Sequence, residues 1–242
     1  MARHILDGLQ QAPVVFHSTR AVRAAIERHG LVDPSRLVYA PYGFASEFRP
    51  DPTPDREAEA VHRRLAGEPY VLHVGSCIPR KRIDVLLGTF AQLRKRLPEL
   101  HLVKVGGEWT REQRAILQRN ALAGAVIHLS GIPRSTLACL VRHASLVLMP
   151  SAMEGFGLPV LEALACGAPV LASDLAVFRE VGGDAVSYAP VGDVDAWTEH
   201  AVALLRNPEQ AGLAWRRVAQ AEGYSWRRHA RIIADAYLER AR

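Results

Sequence analysis

Glu154 and Glu162 stand eight positions apart in EGFGLPVLEALACGAPVLASD, residues 154–174, and the residues between them build a recognisable kind of site. Gly155-Phe156-Gly157 can bring bare backbone against a ligand, Pro159 suits a first helical position, and Glu162 is then expected in the first turn of that helix. A helix N-terminus offers unpaired N–H groups and a partial positive charge, so an anion such as phosphate is its natural guest. Two carboxylates beside it have another use, accepting hydrogen bonds from hydroxyls. Phosphate and hydroxyls together describe a nucleotide-sugar. A Glu-x7-Glu spacing alone is weak, and a strand-to-helix turn with solvated glutamates is the plain alternative; the whole string favours the site.

A second candidate is Gly75-Ser76-Cys77-Ile78-Pro79-Arg80-Lys81. Its glycine permits a tight turn after a strand, and adjacent Arg80 and Lys81 can neutralise a diphosphate as its charge develops. The competing reading is a first helical turn with solvated cations. Gly106-Gly107 either approaches a ligand or only turns the chain, and Asp174 is a cap or a contact. His73 and His128 lie within strands and read as core or edge residues, while His17, at the end of the first strand, can border a cleft. No His, Asp or Glu spacing suggests a metal site.

The elements that position these residues alternate. A strand at 13–17 leads, through a cap at Ser18 or Thr19, into a helix ending at Gly30, and a strand follows at 36–40. Residues 49–55, RPDPTPD, have linker composition, and a domain boundary is expected there. Beyond it, strands are expected at 70–74, 101–105, 126–129, 146–149, 169–172 and 185–188. Helices are expected at 82–97, 110–122, 135–143, 159–166, 194–206, 208–222 and 226–240. The rhythm predicts an α/β fold, a Rossmann-like doubly wound parallel sheet with ligands beyond the carboxyl ends of its strands. In the terminal helix, Trp226, Ala230, Ile233 and Tyr237 form an apolar stripe with Arg227, Arg228 and Arg231 around it.

The 242 residues suffice for one large domain or one domain and part of another. A net charge of +5 allows anionic partners, yet the basic residues are spread along the chain and no nucleic-acid-binding signature appears, so nucleic acid is excluded as the expected partner. Cys77, Cys139 and Cys166 are odd in number and lack CxxC spacing, which argues against a disulfide framework and fits a reducing cytoplasm. No signal peptide or membrane-spanning run is present, so the protein reads as cytoplasmic, with peripheral contact to the membrane face left open.

The 154–174 string resembles the signature of the retaining glycosyltransferases of family 4, which have the two-domain GT-B fold, and the likeness runs from about Pro13 to the C-terminus. The resemblance implies that residues 1–50 are the remnant of a GT-B N-terminal domain and its crossover. It makes 51–66 a linker and helix, 67–225 the donor-binding domain, and 226–242 the helix crossing back. It implies hexose contacts for Glu154, ribose contacts for Glu162, and sugar and phosphate contacts for the turn Gly155 and the amides of Phe156, Gly157 and Leu158. Gly75 and Lys81 match the family's phosphate loop. Ser76 replaces its usual Arg, so Arg80 supplies the second charge or none does. Gly131-Ile132 resembles the backbone that meets the nucleobase. The implied activity is transfer of a hexose from a nucleotide-diphosphate sugar to a glycan or lipid-linked acceptor with retained configuration, without metal or cofactor. The likeness of GSCIPRK to mannosyltransferase loops suggests GDP-mannose. The alternative is a non-catalytic nucleotide-sugar-binding module that needs a partner chain. The acceptor domain and its catalytic-site histidine have no counterpart here, so a homo-oligomer or a separate N-terminal-domain chain is the expected partner.

Overall fold

The computed structural model describes residues 2–51 and 53–240. Two parallel sheets organise it. The smaller joins β1 (Val15–His17) to β2 (Leu37–Tyr39), with α1 (Ala2–Gln11) before it and α2 (Arg20–Arg28) between the strands. Thr19 caps α2 by accepting a hydrogen bond from Val22 N, and Gly30, at φ +58°, ends it in the left-handed region. Helix α1 is a finding beyond the sequence reading, which begins at Pro13. Leu9 ties it to the small core of Val15, Val32 and Leu37.

The larger sheet holds β3 (Tyr70–Val74), β4 (His101–Val105), β5 (Val126–Leu129), β6 (Leu146–Met149), β7 (Val170–Ser173) and β8 (Ser187–Ala189). Their order is β5-β4-β3-β6-β7-β8, all neighbours parallel. One face packs on α3 (Arg56–Leu65), α6 (Arg134–His143), α7 (Leu158–Ala165), α8 (Ala176–Gly182) and α10 (Ala214–Glu222). The other packs on α4 (Ile83–Arg96), α5 (Arg111–Arg119) and α9 (Val194–Arg206). Alternation along each strand serves both cores: Leu72, Val103, Val147 and Ala172 enter the first, and Val71, Leu102, Leu146 and Leu171 the second. Strands covered on both faces must be apolar throughout, which is why they read as continuous apolar runs.

Two local expectations give way and one element is new. Residues 208–222 are not one helix: a 3-10 turn at Pro208–Ala211 is broken by Gly212 at φ +76° before α10 begins. Helix α8 forms where no helix is expected from the residue pattern, held by the buried Val177, Phe178 and Val181 and without a capping side chain. The last strand sits one to two residues later than 185–188, because Gly183–Ala185 forms a 3-10 turn.

Helix α11 (Trp226–Arg240) returns to the small sheet. His229 Nδ1 donates to the carbonyls of Ala40 and Pro41, Trp226 stacks on Tyr42, and Tyr237 meets Phe16 edge-on. Gly43 is required there, since a Cβ would lie 2.0 Å from Trp226 N. The inward face follows His229, Ile232, Ile233 and Ala236, offset from the anticipated stripe; Trp226 stays 45% exposed and Tyr237 62%. No helix among the described residues is long and apolar enough to cross a membrane.

Candidate functional site

Strand order reverses between β3 and β6, so the loops leaving these neighbours diverge and open a crevice at their carboxyl ends. The β3 loop carries Gly75 to Lys81 and the β6 loop carries Ser151 to Gly157. Residues more than seventy positions apart meet there. Lys81 Nζ donates to Glu154 Oε1 at 2.5 Å, Arg80 donates to Glu154 Oε2 at 2.8 Å, and the Ser151 hydroxyl donates to Oε1 at 2.8 Å. Arg80 also donates to the Met153 carbonyl at 3.1 Å, while its own carbonyl accepts from Ala152 N at 2.7 Å, stitching the two loops together. Both cations therefore converge on one carboxylate. Lys81 and Glu154 are buried, whereas Arg80 is exposed. Burial alone would raise the Glu154 pKa; the hydrogen bond and charge of Lys81, with Ser151 and Arg80, hold it below the ordinary value.

Lys81 lies in a 3-10 turn, Pro79–Lys81, that precedes α4 through Arg82 in the left-handed region at φ +48°. Gly75 leaves room for it: a Cβ on Gly75 would sit 3.2 Å from His73 Nε2 and 3.5 Å from the Lys81 stem. His73 is fully buried, donates from Nδ1 to the Leu148 carbonyl at 2.8 Å, and is held neutral by burial, its pKa brought down to about 4. Gly106 and Gly107 both take positive φ, and a Cβ on Gly107 would strike Cys77 N at 2.6 Å, so this turn packs beneath Ser76 and Cys77. The Gly107 carbonyl accepts from Lys104 Nζ and His128 Nε2.

The glycine turn after Glu154 differs in detail from the expectation. Helix α7 begins at Leu158, with Gly157 as its cap at φ +91°, so Pro159 is the second helical residue and Glu162 falls in the second turn. A Cβ on Gly157 would lie 2.6 Å from the Phe178 ring, so conformation and packing both demand glycine. Phe156 turns its side chain into an aromatic group with Tyr42 and Tyr224. Among the described residues, nothing accepts from the amides of Phe156, Gly157 or Leu158. Three free N–H groups at a helix start suit an anion.

Glu162 remains on the same side as α6, whose Arg134 charge partly offsets the effect of burial on it. Burial pushes its pKa up to about 7, and among the described residues no group donates to it. A half-buried acceptor without a donor is suited to a ligand hydroxyl. Gly131, at φ +65° with open space around it, and Ile132 follow β5 on the same sheet edge. Asp174 is committed to Arg179, 2.5 Å away. His17 is buried, donating from Nδ1 to the Thr19 carbonyl.

A cleft of about 510 Å³ lies between α2 and this edge, walled by Ala21, Val22, Ala25 and Ile26 on one side and Met153, Leu175 and Val177 on the other, with Arg80 and Glu154 at its floor. Ser151 and the α2 wall escaped the sequence reading. Ser151 carries no motif of its own, although its position three before Glu154 is the spacing at which a hydroxyl can reach back across a turn.

The chain is 30% identical over 246 residues to the O-antigen chain mannosyltransferase B of Escherichia coli, spanning 98% of this chain and 63% of that protein. It is 32% identical over 237 residues to the D-inositol 3-phosphate glycosyltransferase of Nocardia farcinica, spanning 93% of this chain and 52% of that one. The chain thus spans about half to two thirds of these relatives' length. The fold is similar to that of Anabaena Alr3699/HepE, solved in complex with UDP and glucose, with a TM-score of 0.83 at 18% identity over 97% of this chain and 66% of that one. The model of the family described as glycosyl transferases group 1 matches residues 55–219, the whole of the large sheet with both crevice loops. With that match over more than half its length and the parallel six-stranded sheet of the GT-B glycosyltransferases, the chain belongs to the glycosyl transferases group 1.

Proposed function

We propose that this chain is the donor-binding part of a retaining hexosyltransferase of the family 4 type, taking a hexose from a nucleoside-diphosphate sugar. The observation that carries the reading is the convergence of Lys81, Arg80 and Glu154 beside the free amides of 156–158 at the β3/β6 crevice. In this reading Glu162 accepts from the ribose hydroxyls, the backbone of Gly131 and Ile132 meets the base, and Gly75 and Ser76 line the phosphate path. Glu154 and the Phe156 N–H orient the hexose, and Lys81 with the amides of Gly157 and Leu158 stabilises the leaving diphosphate. The bond from the anomeric carbon to phosphate breaks, a bond to the acceptor oxygen forms on the same face, and the acceptor proton passes to the leaving phosphate. Two adjacent cations in place of a metal suit that charge development. The glycan or lipid-linked acceptor enters over the apolar α2 wall, and GDP-mannose is the first donor to try, on the mannosyltransferase relative.

Calorimetric titration of the chain with GDP, UDP and ADP, and with GDP-mannose and UDP-glucose, tests this. Saturable binding of at least one pair is expected; binding of none overturns the reading. A second reading, a donor-binding module that works only with another chain, draws on the exposed Tyr237 and Leu238 of α11. Donor binding without sugar transfer or hydrolysis, in a protein that sediments as a dimer or hetero-complex, would favour it.

A further inference from the structure

The segment 18–21, which leads into α2, meets the donor turn along one seam. Glu180, on α8, accepts from Arg20 N with both carboxylate oxygens, at 2.9 and 2.7 Å, and from Ala21 N at 3.3 Å. These amides belong to the first turn of α2 and have no intrahelical acceptor, and the helix dipole favours a carboxylate beside them. One step earlier in the chain, the hydroxyls of Ser18 and Thr19 both donate to the Gly155 carbonyl at 3.2 Å. Thr19 does so while its oxygen also accepts from Val22 N.

Glu180 is itself held in place. The Tyr224 hydroxyl donates to its backbone carbonyl at 3.0 Å, and its helix neighbours Phe178 and Val181 are fully buried. Helix α8 thus presses the Phe178 ring against Gly157 while its carboxylate grips α2.

The consequence lies in one peptide unit. The Gly155 carbonyl and the Phe156 N–H share a planar trans peptide and point in opposite directions. Two hydroxyls on the carbonyl therefore aim the N–H away from Ser18 and Thr19. Gly155 cannot supply this restraint, having open space around it and no side chain. We propose that Glu180 is a positioning residue for sugar binding: by gripping Arg20 and Ala21 it seats Ser18 and Thr19 on the Gly155 carbonyl and so fixes the Phe156 N–H at the hexose side of the donor site. The proposal rests on the donor-site reading above and goes beyond it in assigning a role to a residue outside both crevice loops.

The test uses the 242-residue chain with Glu180→Ala, Glu180→Gln and the pair Ser18→Ala with Thr19→Val. The probes are GDP, GDP-mannose, UDP and UDP-glucose by calorimetry, and hydrogen exchange over residues 154–162 without ligand. Glu180→Ala should weaken the sugar conjugate about tenfold, leave the nucleoside diphosphate within about twofold, and speed exchange over 154–162. Glu180→Gln, whose amide oxygen still accepts from Arg20 N, should restore most of the affinity. Adding the Ser18 and Thr19 changes to Glu180→Ala should cost little more, because all act through one carbonyl. Equal loss of both ligand types, full additivity, or unchanged exchange over 154–162 would overturn the proposal. If the unaltered chain binds no probe, the donor-site reading falls first; faster exchange in Glu180→Ala then still upholds the control of this peptide by Glu180, and unchanged exchange removes it.

Discussion

Lys81 Nζ lies 2.5 Å from Glu154 Oε1 with both side chains less than a tenth exposed, so the cation facing the crevice and its nearest carboxylate form one buried pair. Each ion is out of water chiefly on the other's account, and removing one leaves an uncompensated charge. Lys81→Met should therefore lower stability by about 3–5 kcal/mol, and adding Glu154→Leu should recover most of it. Urea denaturation of the single and double variants measures both. A neutral Lys81→Met would show that Arg80 and Ser151 suffice for Glu154.

Glu154 and Glu162 should separate in binding. Glu162→Ala is expected to weaken nucleoside diphosphate and sugar conjugate alike, by about ten- to hundredfold, and Glu154→Ala to weaken only the conjugate. Parallel titrations with the sugar-free and sugar-bearing nucleotide read the difference. Equal effects of both changes on the sugar-free form would end the assignment of hexose to one and ribose to the other.

Glu162 should make stability depend on pH in an unusual direction. Its pKa is about 7 in the folded chain against an ordinary 4.5, so between those values the folded state holds a proton that the unfolded state has released. Stability then falls as pH rises through that window, by about 3 kcal/mol at 1.36 kcal/mol per unit, and is lowest above pH 7. Glu162→Gln should match the unaltered chain near pH 4 and exceed it at pH 8. Denaturant midpoints across that range check the slope, and a variant less stable than the parent at pH 8 would contradict the cause given, burial.

Gly157 and Gly155 should respond oppositely to a methyl group. At Gly157 the backbone is at φ +91° and the Phe178 ring stands 2.6 Å from the added carbon, so Gly157→Ala should cost more than about 2 kcal/mol. Gly155 has open space and no left-handed backbone, so Gly155→Ala should stay within about 0.5 kcal/mol. Thermal unfolding of the two variants decides it, and similar losses would mean that the turn is strained as a unit.

Much of the fold was legible because it is set by forces acting over a few residues. The strands 70–74, 101–105, 126–129 and 146–149 lie where apolar runs end at glycine, proline or polar residues, and Thr19 and Gly30 bracket α2 as cap and stop. Helix α8 was illegible for the same reason in reverse: it is one of the shortest helices, lacks a capping side chain, and owes its form to the core around Phe178. The shift of Glu162 from the first turn to the second came from Leu158, which enters the helix ahead of Pro159 once Gly157 takes the cap.

By itself, the sequence determined the strand-turn-helix units, the glycine turns and the carboxylates and cations that stand on them, since each depends on neighbours within a turn. Only the tertiary structure decided that β3 lies beside β6, and hence that Lys81 and Arg80 reach Glu154 across more than seventy residues. It also decided that Glu180 grips Arg20, that α11 turns His229 and Ala236 inward in place of Trp226 and Tyr237, and that partial burial raises the pKa of Glu162. These outcomes follow from chain topology and from which surfaces leave water together, and neither is encoded in the spacing of any single segment.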